Sequence, residues 1–188
     1  INETLVLARV KIPIRLLGTR RALEIHDRIV ARHLPRVHDE KAVDIVHCWP
    51  SGSLHTLIAA RKLGIKTVLE RQSGHTRYVF KVTEDECKRL GIPLNRSHYA
   101  AWNDKVLAHE EGEFAAADRL LCPSDFVVKT FVEQGVAEDR LLRHQYGYDP
   151  LTFSGSKHEI AERNKAPFTM VYVGDCYPLK GLHFALKA

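Results

Sequence analysis

Apolar side chains recur between positions 19 and 34 at the spacing of one helix face, and this pattern predicts an amphipathic helix. The apolar stripe consists of Ala22, Leu23, Ile29, Val30 and Leu34. The charged residues between them, which include Asp27 and several arginines, are therefore expected to face solvent.

Short apolar runs and helical patterns alternate after this helix. Residues 42–48 predict a buried strand, and a helix follows to about residue 63, where Gly64 ends it. Residues 65–70 predict a second strand. Because a helix joins the two short strands, we expect them to pair in parallel with a right-handed crossover.

The same alternation continues to position 143 and predicts an α/β fold. Helices are predicted over 84–90, 95–108, 109–116 and 125–134, and strands over 119–122 and 141–143. Ser124 is well placed to cap the last of these helices.

A change in composition separates the end of the chain from the rest. Residues 151–167 are poor in apolar side chains and rich in polar ones, which is typical of a linker. Residues 168–173 predict a buried strand that ends at Gly174, and a helix begins near Lys180. We therefore predict one unit over 1–150 and the start of another over 168–188.

The two ends of the sequence also carry information. The chain starts at Ile1 without a methionine or a signal sequence, and it stops at Ala188 inside a predicted helix. We therefore expect both ends to continue in a longer protein. Its longest apolar runs are far shorter than the roughly 20 residues that cross a bilayer.

The net charge of +5 and the pI near 9.1 suit an anionic partner such as a nucleotide diphosphate or an anionic membrane surface. The basic residues are spread over the chain without interleaved aromatics, so no nucleic-acid partner is expected. The four cysteines have no paired spacing, which favours reduced thiols and a cytoplasmic setting over zinc or disulfides.

Polar side chains follow the predicted strands at the edge where open α/β sheets bind ligands. His47 follows the first strand, and His75 and Arg77 follow the second. Gly174 and Lys180 form a strand-to-helix turn that suits a phosphate, although many such turns contain glycine.

The acidic residues of the 109–116 helix fit two interpretations. Glu110, Glu111 and Glu113 have side chains suited to metal or acid–base chemistry, but consecutive acids usually mark a solvated helix face. We assign Glu110 and Glu111 to such a face. Asp118, directly before a strand, is interpreted as a structural residue.

Four segments, in order, resemble the GT4 family of retaining glycosyltransferases. Residues 44–78 are similar to the family's paired strands, each followed by a histidine. Residues 111–136, EGEFAAADRLLCPSDFVVKTFVEQGV, resemble its acidic helix, Ala-Asp, strand, Pro-Ser and helix block. Residues 144–153, HQYGYDPLTF, resemble its interdomain segment, and residues 168–188 resemble the strand that opens its donor domain.

This resemblance implies a GT-B fold, in which Rossmann-like parallel sheets carry helices on both faces. Residues 1–150 would be part of the acceptor-side domain, 151–167 the interdomain linker and 168–188 the start of the donor-binding domain. The implied partners are a nucleotide-sugar donor and a glycan or lipid-linked acceptor, with peripheral contact to an anionic membrane face. Transfer would need no metal or other cofactor.

The resemblance also implies roles for individual residues. His75 would lie near the donor sugar and the reaction centre, and Gly174 and Lys180 would bind the donor diphosphate. His47 and Arg77 would lie at the acceptor side or rim of the cleft. Gly147 and Asp149 would form the interdomain turn.

The sequence departs from the family pattern in ways that keep other functions open. Asp175 stands where the family often has arginine, and Tyr146 precedes the interdomain glycine in place of asparagine. The family's glycine-rich first loop and acidic donor-binding pair lie outside this sequence, so these residues alone are expected to be inactive. A non-catalytic Rossmann-like binding module and a GT-B sugar-nucleotide epimerase remain alternatives.

Overall fold

Four short strands form a sheet in which all neighbours run parallel and follow the order of the chain. The computed structural model describes residues 18–153 and 169–188. Its strands are β1 (Ile45–Cys48), β2 (Lys66–Glu70), β3 (Arg119–Cys122) and β4 (Leu141–Arg143). Helices connect each strand to the next, as parallel pairing requires. The predicted α/β fold with a parallel sheet is confirmed.

The described residues form six α-helices, whose bounds agree only in part with those predicted: the helix predicted over 84–90 begins at Thr76, and the helix predicted over 19–34 continues to Lys41. The helices are α1 (Thr19–Lys41), α2 (Leu54–Lys62), α3 (Thr76–Leu90), α4 (Asp104–Ala116), α5 (Asp125–Val132) and α6 (Leu182–Ala185). The predicted helix over 95–108 is wrong in its first half, because α4 begins only where Asn103 accepts hydrogen bonds from the N–H groups of Lys105 and Val106. The predicted acidic helix over 109–116 is the rest of α4.

The hydrophobic core lies on one face of the sheet. Cys48, Leu69 and Leu120 occupy matching register positions on β1, β2 and β3, and all are buried. Leu57, Phe114 and Phe131 belong to the same buried cluster and come from α2, α4 and α5. Three helices are thereby held on this face by apolar burial.

The opposite face of the sheet carries apolar side chains that stay accessible. Ile45 is 60% exposed and Leu142 is 41% exposed. Within the part of the chain described, neither residue belongs to a hydrophobic cluster. An uncovered apolar sheet face favours association, and we therefore predict that these 188 residues alone form oligomers.

Asp27 is buried, and its predicted exposure to solvent is therefore wrong. Its carboxylate oxygens accept hydrogen bonds from the N–H groups of His55 at 2.7 Å and Thr56 at 2.8 Å, and from the Thr56 hydroxyl at 2.6 Å. These N–H groups lie in the first turn of α2, where no intrahelical acceptor exists. Asp27 of α1 therefore caps α2 from another helix.

The strand predicted over 168–173 is also wrong for its described part. Residues 169–173 form no strand, and Val171 and Val173 are 81% and 91% exposed. A strand needs a neighbour to pair its backbone groups, and no described residue supplies one here. The following residues pack instead on the C-terminal half of α3, where His183 contacts Glu86 and Arg89 lies over the ring of Phe184.

The buried cysteines agree with the reduced thiols predicted from the sequence. Cys48, Cys87 and Cys122 are free and buried, whereas Cys176 is free and exposed. Burial raises the pKa of Cys48 to about 12 and that of Cys122 to about 11. These two thiols therefore stay protonated and unreactive near neutral pH.

Replacing Asp27 with alanine should destabilise the fold by about 2–3 kcal/mol, because buried donors at the start of α2 lose a charged acceptor. Urea unfolding monitored by circular dichroism measures this change. Asp39→Ala, which removes an exposed carboxylate from the same helix, is the matched control and should change stability little. Equal effects of the two substitutions would refute the proposed capping role.

Candidate functional site

The loops that follow β1 and β2 are both attached to α4 through buried carboxylates. Glu113 is fully buried and accepts hydrogen bonds from the N–H groups of Ser51 at 2.8 Å and Ser53 at 2.9 Å. It also accepts one from the Ser53 hydroxyl at 3.1 Å. A buried carboxylate is stable only when donors surround it, so this loop is fixed relative to α4.

Glu110 fixes the second loop in the same way. It lies 3.2 Å from the guanidinium of Arg71, and it accepts hydrogen bonds from the hydroxyls of Ser51 and Thr76. Its predicted place on a solvated face is wrong, because Glu110 and Glu113 are three residues apart and share the buried face of α4.

Arg71 was not singled out from the sequence. It directly follows β2 and is buried, and its guanidinium donates to the Gly74 carbonyl at 3.2 Å and the Thr76 hydroxyl at 3.0 Å. Its carbon Cζ lies 5.4 Å from the centre of the Phe114 ring. Burial lowers the pKa of Arg71, and the neighbouring Glu110 acts in the opposite direction. The sequence signal available was a charged residue at the carboxyl end of an apolar strand.

His75 is held in a defined orientation at the start of α3. Its ring packs between Phe114 and Phe131, with ring centres 5.1 and 5.0 Å away. Its N–H donates to the Thr130 hydroxyl at 2.9 Å. Its Nδ1 accepts a hydrogen bond from the N–H of Arg77 at 3.2 Å, which leaves the proton on Nε2.

The environment of His75 keeps the imidazole neutral. His75 is 3% exposed, and this burial is the main reason why its pKa is lowered to about 4. Gly74 contributes to this packing, because a Cβ at that position would lie 3.2 Å from the Thr130 hydroxyl. A neutral ring with Nε2 protonated can donate a hydrogen bond but carries no charge at pH 7.

His47 and Arg77 lie at the same edge of the sheet but do not join His75 in one cluster. His47 is on the uncovered face of β1, and its Nε2 lies 3.1 Å from the buried carboxylate of Glu70. Arg77 forms an ion pair with Glu111 at 2.7 Å. The histidines lie on opposite faces, because His75 packs against the core cluster.

The predicted interdomain turn follows β4. Burial and a hydrogen bond to Glu70 raise the pKa of Tyr146, so this tyrosine reaches the carboxylate that His47 also contacts. Asp149 accepts hydrogen bonds from the Thr152 hydroxyl at 2.7 Å and the Leu151 N–H at 2.9 Å. A Cβ on Gly147 would meet no atom within 4 Å, so packing does not require glycine there.

Lys180 and Gly174 lie away from His75. Lys180 ends a short 3-10 helix, Pro178–Lys180, that packs on α3. His183, just beyond it, contacts Glu86. Glu86 is about 15 Å from the start of α3, at roughly 1.5 Å per residue. Asp175 lies 2.9 Å from His98. The structure therefore does not bring the proposed donor-binding residues to the His75 edge.

Residues 18–153 and 169–188 lack a cluster of metal ligands and a membrane-spanning helix. They contain no group of three His, Cys, Asp or Glu side chains that could hold a metal ion. Within the same residues, no helix is both long and apolar enough to span a membrane.

Comparison with solved structures gives a distant likeness to a sugar-nucleotide enzyme. No protein-family model and no curated protein matches the sequence. The structure is similar to that of UDP-GlcNAc 2-epimerase from Neisseria meningitidis bound to UDP-GlcNAc, with a TM-score of 0.44 and 11% identity. The likeness covers 76% of this chain but only 34% of the epimerase. A likeness of this size supports no conclusion about activity.

The low pKa of His75 predicts a pH dependence of stability. Between pH 6.5 and about 4 the unfolded chain binds a proton that the folded protein does not, so the free energy of unfolding falls as the pH falls. The expected loss over this window is about 3 kcal/mol.

Urea unfolding at pH 7.5 and 4.5 tests this expectation. His75→Phe should lose about 2–3 kcal/mol less than the wild type on acidification, because phenylalanine does not titrate. His26→Gln removes an exposed histidine and should behave like the wild type. If His75→Phe and the wild type lose the same stability, His75 is not held in the neutral form.

Proposed function

We propose that this chain is part of a retaining glycosyltransferase of the GT-B type, which transfers a sugar from a nucleotide-sugar to a glycan or lipid-linked acceptor. The proposal rests on the four ordered segments that resemble the GT4 family and on the site at the carboxyl edge of the sheet. In this proposal residues 1–150 form the acceptor-side domain and residues 168–188 begin the donor-side domain.

The observation that carries the proposal is the fixed, neutral imidazole of His75 at the carboxyl edge of a parallel sheet. Ligands of open α/β sheets bind at this edge. Since Nδ1 accepts the N–H of Arg77, Nε2 is the ring nitrogen left to donate a hydrogen bond, and we propose that its acceptor is a sugar hydroxyl. His75 would therefore orient the donor sugar through a hydrogen bond, and not through a positive charge.

Departure of the nucleotide diphosphate creates negative charge that a cation must stabilise. We propose Lys180 for this role, with the backbone at Gly174 close to the phosphates. His47 and Arg77 are proposed to lie on the acceptor side of the cleft.

A thermal-shift titration with UDP-, GDP- and ADP-sugars tests the donor class in the complete protein. A ligand that binds the folded state raises the melting temperature, by several degrees at about 100 times its Kd. We expect one nucleotide-sugar to produce this shift equally with and without magnesium. No shift with any of them would favour a non-catalytic binding module.

Activity assays of two lysine variants test the role of Lys180. Lys180→Ala in the complete protein should lower kcat by about 100-fold or more, because a group that stabilises developing charge is lost. Lys187→Ala removes another exposed lysine from the same segment and should retain activity. Normal turnover of Lys180→Ala would reject this assignment. Conversion of the nucleotide-sugar to its epimer without an acceptor would instead identify an epimerase.

A further inference from the structure

A polar pocket of about 320 Å³ lies between α1, the loop after β1 and the first turns of α4. Its walls are formed by Arg20, Glu24, Ser51, Lys105 and His109. This volume is at the lower end of the range for small-molecule sites, about 300–1,000 Å³. None of these residues has a role in the proposed glycosyl transfer.

The pocket has an excess of positive charge. Arg20 and Lys105 are exposed cations on facing helices, and the Arg20 guanidinium donates to the Lys105 carbonyl at 3.1 Å. Glu24 is the acidic member of the walls, but it pairs with Arg28 at 2.8 Å, and this hydrogen bond lowers the pKa of Glu24. The charge of Glu24 is thus balanced by Arg28, whereas no carboxylate within the described residues pairs with Arg20 or Lys105.

The wall formed by Ser51 is fixed before any ligand binds. Ser51 has a φ of 73°, which is rare for a residue other than glycine. The N–H of Ser51 donates a hydrogen bond to Glu113, and its hydroxyl donates one to Glu110. Two buried carboxylates therefore maintain this conformation. A strained residue held in this way often lines a ligand site, and a preformed wall reduces the entropy lost on binding.

His109 adds a polar group with an unmet requirement. Its buried Nε2 has no hydrogen-bond partner in the described part of the chain and lies 3.4 Å from the Glu113 carboxylate. Buried polar atoms normally have a partner. The nearest acceptor for this nitrogen is the buried Glu113 carboxylate, and the residue itself lines the pocket.

We propose that this pocket binds a phosphate group through Arg20 and Lys105, with His109 and Ser51 as its polar walls. Arginine binds phosphate oxygens through paired N–H groups, and lysine adds a point charge. The ligand class is a small phosphorylated molecule or free phosphate. The proposal does not depend on glycosyl transfer, because none of these residues contacts the donor site described above.

Isothermal titration of the complete protein with inorganic phosphate and with glycerol 3-phosphate tests the site, and glycerol serves as the uncharged control. Arg20→Gln and Lys105→Gln should each weaken phosphate binding by about tenfold or more, since each loses a charged hydrogen bond. Both side chains are exposed, so neither substitution should affect folding.

Arg119→Gln is the matched control, because it removes an exposed arginine at the opposite end of the sheet. It should leave phosphate affinity within about twofold, since exposed charges far apart are screened by salt. Equal weakening by Arg119→Gln would mean general charge attraction and would overturn the proposal, as would an absence of phosphate binding. Tighter binding of glycerol 3-phosphate would identify a phosphorylated molecule as the ligand, and equal or weaker binding would identify free phosphate.

Two further measurements locate the bound phosphate. The ring NMR signals of His109 should move on titration while those of His26 stay fixed; the reverse pattern would contradict the assignment. Arg20→Gln should retain any melting-temperature shift caused by a nucleotide-sugar. The melting-temperature shift separates the two proposals, because a variant that loses phosphate binding can still be tested for nucleotide-sugar binding.

Discussion

The burial of the Glu113 carboxylate is the constraint on which the carboxyl edge of this sheet depends. A charge removed from water is stable only when hydrogen bonds replace its hydration. Here the donors come from Ser51 and Ser53, so the loop after β1 has little freedom to move without leaving a buried charge unpaired. Glu110 and Arg71 extend the same constraint to the loop after β2. One face of α4 therefore sets the positions of both loops.

This shared anchor connects two regions that have different proposed ligands. On one side, Phe114 of α4 packs against His75 and helps to keep its imidazole neutral. On the other side, Glu113 and Glu110 hold Ser51 in the wall of the phosphate pocket. Because Glu110 accepts hydrogen bonds from both Ser51 and Thr76, a substitution at Glu110 would disturb both regions. A substitution at Arg20 should affect the phosphate pocket alone, and a substitution at His75 should affect the other region alone. These two substitutions therefore test the two proposed ligands separately.

Local patterns in the sequence predicted most of the fold but few of the contacts in the candidate site. The strands Arg119–Cys122 and Leu141–Arg143 were predicted with their observed bounds. A short apolar run bounded by turn residues is typical of a buried strand. Asp27 and Glu110 appeared solvated because the spacing of charges on a helix does not reveal a partner about 30 residues away. Residues 169–173 resembled a buried strand, but a strand also requires a neighbour. Each of these three errors concerns residues whose environment is decided by distant parts of the chain.

The position of Lys180 sets a specific condition on the proposed reaction. His75 lies at the start of α3, whereas the segment containing Lys180 packs on its far half, so residues 169–188 must leave this arrangement to complete a donor site. This segment is held by the ion pair between His98 and the half-exposed carboxylate of Asp175, and by the less exposed contact between His183 and Glu86. Exposed ion pairs contribute little to stability. By contrast, the hydrogen bonds of Glu113 are fully buried. Rearrangement should therefore be easier for residues 169–188 than for the loops that hold His75, and the part of the proposed site around His75 is the part already formed.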